Sequence, residues 1–305
     1  MEQKKQRISL LPLVAYFNIC FFWGTSSVAN KLGSSALHPF MVGVIRFCSA
    51  TLLLFLWMKL RRIPIRYTRS DAKVLGTGAF LMYFLNTLLL LLAATRVDAS
   101  ITIVILCLIP IGMVLVDSAC QRHLCVGKLG MVGIAGGFAG VILAAGTGIA
   151  SGRADPLGVL LLLLSVVVWC VGTIYLKYHT VDVPFVSQLF IQSALPAAAF
   201  FLCALVTGNF RLDLVTWGGV LPAVYMGITD SIIGLTSYIY LLRQWKTSMV
   251  ATYAYINPVV GMVLSALILR EEITFFKVLG MVVILIAVLL IQQDERLRVQ
   301  GKKAE

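Results

Sequence analysis

Ten apolar stretches, each long enough to cross a lipid bilayer as a helix, follow one another along the chain with short polar breaks. A membrane-spanning helix needs about 20 consecutive, mainly apolar residues. The stretches lie at residues 10–30, 39–59, 73–94, 98–119, 126–147, 156–176, 184–207, 216–241, 247–269 and 274–292. They occupy most of the 305 residues, so the sequence predicts an all-α integral membrane protein with ten transmembrane helices.

The composition excludes a soluble domain. Sixty percent of the residues are hydrophobic and only 12% are charged, whereas soluble domains have about 25% charged residues. No segment has enough polar surface for a soluble catalytic or nucleic-acid-binding domain, so we expect no nucleic-acid partner. The net charge of +12 must therefore lie in the loops.

The basic residues are distributed unevenly between the two sides of the predicted membrane domain. If the N-terminus is cytoplasmic, the inner side holds 18 of the 25 Lys and Arg residues. The outer side holds six, namely Lys31, Arg96, Arg153, Arg211, Arg270 and Lys277. Because cytoplasmic loops carry an excess of Lys and Arg, both termini are predicted to be cytoplasmic. The basic loop at residues 59–73 is predicted to contact anionic membrane lipids.

The second half of the chain repeats a pattern of the first half. The matched features are Trp23 and Trp169, Lys31 and Lys177, Pro39-Phe40 and Pro184-Phe185, Ser100 and Ser248, Pro110 and Pro258, and Gly130-Met131-Val132 and Gly280-Met281-Val282. Five predicted helices precede the boundary near residues 148–155 and five follow it. We therefore expect two five-helix units, residues 1–150 and 151–305. Because five is odd, the second unit must cross the membrane in the inverted orientation, an arrangement typical of transporters with a binding site near the midplane.

Four residues are predicted to lie at gates or helix ends. Inversion places Lys31 at the outer end of the first helix and Lys177 at the inner end of the sixth, near opposite mouths of one pathway. Pro110 and Pro258 lie inside helices four and nine, where proline leaves a carbonyl group without its helical partner. Such groups are tolerated at membrane depth beside a cavity or a polar neighbour.

Two ionisable side chains lie at membrane depth, where a charge is costly. Asp230 is in the middle of the eighth helix, and Arg46 is about 10 Å into the second, at 1.5 Å per residue. Asp230 is a candidate for coupling protons or for meeting a substrate amine, and the alternative is a buried partner that fixes helix packing. Arg46 is a candidate for holding a substrate carboxylate, and the alternative is packing or snorkelling.

Polar and aromatic residues at helical spacing predict a cavity with aromatic walls and a few hydrogen-bonding groups. In the first helix, Trp23, Ser27 and Asn30 fall on one face. The complete predicted cavity set is Trp23, Ser27, Asn30, Tyr83, Asn86, Trp169, Thr173, Gly234, Tyr238, Tyr253 and Asn257. Such a cavity suits a small amphipathic metabolite.

Other chemistry is not indicated. The seven cysteines are odd in number, lie mostly inside the apolar stretches and form no Cys-x-x-Cys pair, so neither a metal site nor a disulfide framework is predicted. Nucleotide-binding motifs are lacking, which excludes an ATP-driven pump, and we expect no cofactor. The first apolar stretch is longer than that of a secretory signal peptide, so we expect it to be retained. Small residues at four-residue spacing in the fifth helix predict close helix packing.

A series of motifs begins with Phe22-Trp23-Gly24-Thr25 and continues through Pro39 and Arg46-Phe47 to the run 93–100. These motifs resemble those of the EamA family of the drug/metabolite transporter superfamily. In the second half, Asn257-Pro258-Val259-Val260 and Leu269-Arg270-Glu271-Glu272-Ile273-Thr274 are the most similar segments. The resemblance covers about residues 10–292. It implies ten helices, inverted repeats, a cavity lined mainly by helices one, three, four, six, eight and nine, and export of amino acids or related metabolites.

The chain departs from this family's pattern in the first half. The family usually has a glutamate after the fourth helix, where this chain has Gln121-Arg122-His123, whereas the second half has Glu271-Glu272. A symmetric role of the acid is therefore in doubt, and these glutamates are interpreted as loop or helix-start charges. The first helix also lacks the embedded glutamate of small multidrug exporters, which disfavours cationic drug export by their mechanism.

The leading hypothesis is a secondary transporter that moves small amino-acid-like metabolites by alternating access, with protons as the candidate coupling ion. It would act as a monomer in the bacterial cytoplasmic (inner) membrane. The alternatives are an importer or exchanger of sugars, nucleotides or sugar phosphates, and, more remotely, a membrane-embedded sensor or enzyme. The substrate, the direction and the coupling ion stay open at this point.

Overall fold

The computed structural model describes residues 10–64, 67–121, 126–150, 152, 154–245, 247–250 and 252–304. Ten main helices make up this part of the chain: α1 Leu10–Ala36, α2 Pro39–Arg61, α3 Arg69–Ala94, α4 Ala99–Cys120, α5 Lys128–Ala150, α6 Pro156–Tyr178, α7 Phe185–Val206, α8 Trp217–Leu241, α9 Tyr253–Leu269 and α10 Phe275–Ala304. The described residues contain no β-strand, only an isolated bridge between Val97 and Ala154. The predicted all-helical architecture is confirmed.

Nine of the helices in the described residues are long and apolar enough to span a membrane. The exception is α9, with 17 residues. The predicted ninth stretch began at residue 247, but the structure forms a separate short helix, Thr247–Val250, before α9 begins at Tyr253. A hydrogen bond from Thr252 Oγ1 to the Met249 carbonyl oxygen, 2.6 Å long, lies at this break.

The first helix is longer than predicted. It extends to Ala36, beyond the expected end at residue 30. The prediction that Lys31 lies at the helix end is therefore wrong. Lys31 lies inside α1, and its Nζ donates to the Val97 carbonyl oxygen at 2.8 Å. The Val97 carbonyl group therefore provides a hydrogen-bond acceptor for the ammonium group within the protein.

Polar side chains define several helix starts. Thr68 and Asp71 form reciprocal hydrogen bonds that begin α3, a capping box. Asp155 precedes Pro156 and accepts from the Leu157 N–H at 2.9 Å, which begins α6. The Leu157 N–H and the Arg96 guanidinium together hold the pKa of Asp155 below its usual range.

Helices α5 and α10 pack through glycines. A Cβ atom added to Gly133 would lie 2.7 Å from the Ala287 carbonyl oxygen, and one added to Gly140 would lie 2.7 Å from the Gly280 carbonyl oxygen. Since real Cβ atoms do not approach backbone oxygen so closely, these positions require glycine. The glycines of α5 therefore provide the close helix approach that small residues allow in lipid.

Two helices contain a widened π-helical turn. The first is Ala79–Leu85 within α3, and the second is Thr229–Gly234 within α8. Such turns interrupt the regular α-helical bonding and occur frequently at functional sites. Both contribute residues to the cavity described next.

Candidate functional site

A cavity of about 270 Å³ lies between the helices. Eight of the ten contribute to its lining: α1, α2, α3, α4, α6, α8, α9 and α10. The predicted residues that line it are Trp23, Ser27, Asn30, Arg46, Tyr83, Asn86, Pro110, Trp169, Asp230, Tyr253, Asn257 and Pro258. The resemblance did not imply the contributions of α2, through Arg46, and of α10, through Leu285 and Val288.

An ion pair lies in the cavity wall. Arg46 Nη2 on α2 is 3.3 Å from Asp230 Oδ2 on α8, and the two side chains are 11% and 9% exposed. The Ser26 hydroxyl on α1 donates to Asp230 Oδ1 at 2.8 Å. The two charges that the sequence marked separately therefore face each other, and Ser26 connects α1 to the same carboxylate.

Aromatic rings close one part of the cavity. The Trp23 ring lies 5.6 Å from the Tyr238 ring and 5.2 Å from the Tyr253 ring, measured between centroids. Nearby, the Tyr16 and Thr252 hydroxyl groups are 2.5 Å apart. The ring contacts of Trp23 join α1 to α8 and α9, and a rotation of Trp23 would disturb both of them.

Two asparagines tie cavity helices together through the backbone. The Asn86 amide nitrogen on α3 donates to the Ser165 carbonyl oxygen on α6 at 2.9 Å. The Asn257 amide is assigned with its nitrogen toward carbonyl groups, because it then donates to the Cys20 oxygen at 2.9 Å and to the Tyr253 oxygen at 3.1 Å. These asparagines therefore line the cavity and also position its walls.

Three predicted cavity residues lie outside the lining. Thr173 donates to the Trp169 carbonyl oxygen at 2.8 Å, one turn away on the same helix. Gly234 lies against the Trp23 indole, which leaves no room for a side chain. Tyr238 supports the Trp23 ring from behind. Spacing along a helix identified the correct face but not the depth of each side chain.

A polar cluster joins the two halves of the chain at one end of the helices. We call Lys277, Asp98, Ser100 and Glu271 the latch. Lys277 Nζ contacts Asp98 Oδ2 at 3.0 Å and Ser100 Oγ at 2.8 Å, although the residue is only 2% exposed. The Glu271 carboxylate accepts from the backbone N–H groups of Ala99 and Ser100 at 2.7 and 2.9 Å.

The latch corrects the interpretation of Lys277 and adds a contact to that of Glu271. Lys277 was assigned to the outer set of loop charges, but it is buried in the first turn of α10. Glu271 lies in the loop before α10, in agreement with its interpretation as a loop or helix-start charge, and its carboxylate accepts from the first N–H groups of α4, a helix of the other half. Negative charge is stabilised at a helix N-terminus because the free N–H groups point toward it.

Lys177 lies in the last turn of α6, where it was predicted. Its Nζ is 3.0 Å from Asp117 Oδ2 on α4, and Tyr178 donates to the same carboxylate at 2.9 Å. Neither Lys31 nor Lys177 lines the cavity. Both instead bond to a neighbouring segment of the first half, at Val97 and Asp117.

Sequence reasoning missed several polar residues in or beside the cavity, among them Ser26, Ser231 and Thr25. Ser26 and Ser231 line the cavity, and Thr25 Oγ1 lies 2.6 Å from the Tyr225 hydroxyl on α8. Ser26 precedes the predicted Ser27 by one residue, so it belongs to a different stripe of α1. The signal that could have found it is the need of a buried Asp230 for a donor.

The sequence of the chain is similar to those of known membrane transporters. The sequence model of the EamA-like transporter family matches the chain twice, at residues 11–146 and 156–293. The Escherichia coli (strain K12) protein described as "Uncharacterized inner membrane transporter YedA" is 27% identical over 286 residues, covering 92% of this chain and 91% of that protein. The "Probable amino-acid metabolite efflux pump" of the same organism is 24% identical over 297 residues, with 93% of each chain covered.

A solved structure has a similar fold. It is described only as "Crystal structure of protein", and it has a TM-score of 0.64 and 16% sequence identity to this chain. The similarity covers 94% of this chain and 98% of the other. At this identity the likeness concerns the fold alone.

Proposed function

Because the chain belongs to the EamA-like transporter family, we propose that it is a secondary carrier that exports amino acids or related small metabolites by alternating access through the central cavity. The observation that carries this proposal is the cavity with its buried Arg46–Asp230 pair. Charged groups at membrane depth are costly and mark substrate or ion pathways. One relative is named a metabolite efflux pump, which supports export, and another is named an inner membrane transporter, which supports that location.

We propose that the carrier consists of two inverted five-helix repeats, residues 1–150 and 151–305, with both termini in the cytoplasm. The double match of the family model supports the duplication. The two π-helical turns also support it, since they begin at Ala79 and Thr229, with the same spacing as between Gly130 and Gly280. An odd number of helices in each repeat requires inversion, and the charge bias gives the orientation.

Alternating access requires bonds between the halves that can form and break. The latch joins the loop before α10 to the start of α4, and we propose that it is the closed outer gate. At the corresponding inner position the chain has Gln121 in place of a glutamate. The inner gate would therefore depend on other contacts, including the aromatic rings of Trp23, Tyr238 and Tyr253.

The other predicted roles are part of the proposal. Asp230 is the candidate proton-coupling carboxylate, and the carrier would act as a monomer without a cofactor. An Asp230→Asn variant with unchanged pH dependence of transport would reject the coupling role.

An exchanger of phosphorylated compounds is a weaker candidate. Phosphate recognition usually uses several basic groups. In the part of the chain that the structure describes, Arg46 is the one basic residue of the lining, and Asp230 already neutralises it. The membrane-embedded sensor or enzyme finds no specific support in the cavity.

Flux through purified protein tests the proposal. We expect saturable counterflow of at least one amino acid in a broad panel when the protein is reconstituted in liposomes. Cells that carry the gene should also tolerate higher concentrations of toxic amino-acid analogues than cells that lack it. If no amino acid shows saturable flux, the proposed function is wrong.

A further inference from the structure

The guanidinium group of Arg46 has fewer partners than its burial requires. Its contact with Asp230 joins one nitrogen to one oxygen at 3.3 Å, whereas charge-assisted pairs are about 2.7–2.9 Å long and are frequently bidentate. Nη1 lies 3.6 Å from the sulfur of Met226, a weak acceptor. Nε has no hydrogen-bond partner among the described residues. Arg46 therefore retains the capacity to bind a second carboxylate.

Asp230 has a complementary deficit. Its Oδ1 accepts from Ser26 at 2.8 Å, and the contact of its Oδ2 with Arg46 is long, at 3.3 Å. Two further atoms of residues in the cavity lining, Asn30 Oδ1 and Ser231 Oγ, are buried without a partner among the described residues. Since unsatisfied buried polar atoms cost free energy, this wall favours a ligand that brings both an acceptor and donors.

We propose that the Arg46–Asp230 pair recognises zwitterions by exchanging partners. The carboxylate of the substrate takes Arg46, and the ammonium group of the substrate takes Asp230, with Asn30 and Ser231 as further acceptors. This inference rests on the proposed function and names the residues that select the substrate. The internal ion pair is thus replaced by contacts with a ligand whose ammonium and carboxylate groups are bonded to the same carbon atom.

The same arrangement disfavours singly charged ligands. A lone amine would occupy Asp230 but leave Arg46 as an unpaired buried cation, and a lone carboxylate would leave Asp230 as an unpaired anion. Removing one partner of a buried pair is far more costly than keeping both. The cavity therefore selects for the presence of both charges.

The rest of the lining indicates the substrate side chain. The lining also includes Leu90, Ile103, Leu106, Trp169 and Tyr253. Apolar and aromatic walls favour an apolar group. The ligand class is therefore an α-amino acid with an aliphatic or aromatic side chain.

Analogues that lack one charge provide the test. We would measure the binding of leucine, methionine and phenylalanine to purified protein, and compare each with its amide and its N-acetyl derivative. The amide lacks the carboxylate charge, and the N-acetyl derivative lacks the ammonium group. We expect at least one free amino acid to bind tenfold or more tightly than both of its derivatives.

Two variants test which charged group of the ligand each residue recognises. Arg46→Gln should reduce the preference over the amide, and Asp230→Asn should reduce the preference over the N-acetyl derivative. Asp213→Asn is the matched control, because Asp213 is exposed and pairs with Arg211 in a loop, and it should change neither ratio. Equal weakening of all ligands by either variant would mean a purely structural pair and would overturn the inference.

The wild-type comparison keeps the inference falsifiable if the variants do not fold. Equal binding of an amino acid and its derivatives overturns it, and so does the absence of binding by all three amino acids. Saturable amino-acid flux without discrimination between the derivatives would remove this inference and leave the proposed function intact. Absence of flux for the whole panel would remove both.

Discussion

Arg46 on α2 and Asp230 on α8 meet at 3.3 Å in the wall of the cavity, although 184 residues separate them in the sequence. The contact ties two helices of different halves at membrane depth. Both charges lie in a low-dielectric environment, where a charge without its partner is costly. We therefore expect this pair to affect the stability of the protein as well as the proposed recognition of substrate.

We expect Arg46→Gln and Asp230→Asn each to destabilise the protein more than the double variant does. Removing one partner of a buried pair costs about 3–5 kcal/mol, whereas replacing both can be nearly neutral. The stability of the three variants is measured as the midpoint of thermal unfolding in detergent. The exposed pair Lys177–Asp117 is the control, since its side chains are 55% and 22% exposed and such pairs contribute about 0–1 kcal/mol. Additive effects of the two single changes would show that the pair is not coupled.

We expect Lys277→Met to weaken the latch. The substitution keeps the length of the side chain but removes the contacts with Asp98 and Ser100. The reaction of a cysteine introduced at Ser27 with an impermeant thiol reagent added outside measures the opening. If the latch closes the outer side, this cysteine should react faster in Lys277→Met than in the protein that keeps Lys277.

The matched control for the latch is Arg211→Gln. This residue belongs to the predicted outer set, and in the part of the chain that the structure describes its ion pair is with Asp213 of the same loop. Its loss should therefore leave the reaction rate unchanged. An equal rate in wild type and Lys277→Met would contradict the proposed outer gate.

We expect Gly140→Ala to destabilise the packing of α5 on α10. The added Cβ would lie 2.7 Å from the Gly280 carbonyl oxygen and 2.6 Å from Ile284 Cγ1. Overpacking of a close contact costs about 1–3 kcal/mol. The control on the same helix is Gly146→Ala, because a Cβ there meets nothing within 4 Å. Thermal unfolding of both variants checks the prediction, and a similar midpoint for the two would refute it.

We expect Ser26→Ala to weaken substrate binding in the cavity without unfolding the protein. The change removes the 2.8 Å hydrogen bond to Asp230, and hydrogen bonds to charged groups contribute about 1.5–3 kcal/mol. Ser49→Ala is the control, since the Ser49 hydroxyl donates to the Arg46 carbonyl oxygen of its own helix. The KM for amino-acid counterflow should rise in Ser26→Ala and stay near the wild-type value in Ser49→Ala.

Helix ends and loop charges were predicted less well than helices. Lys31 was placed at a helix end, but α1 continues to Ala36, and the Lys31 ammonium group donates to the Val97 carbonyl oxygen. Lys277 was counted as an outer loop charge, but Asp98 and Ser100 bury it. A basic residue near the end of an apolar stretch has the same local sequence whether it faces water or a partner from a distant segment.

The amino-acid sequence by itself determined the all-helical architecture and nearly all of the spans, because the cost of placing backbone in lipid is decided within each stretch of about 20 residues. It also identified Arg46 and Asp230 separately, since any charge at that depth requires an explanation. Only the tertiary structure decided that these two residues pair and that Ser26 donates to Asp230. It also decided that the Glu271 carboxylate accepts from the first N–H groups of α4, a helix of the other half. Those contacts depend on the packing of helices that are far apart in the chain, and no local pattern records it.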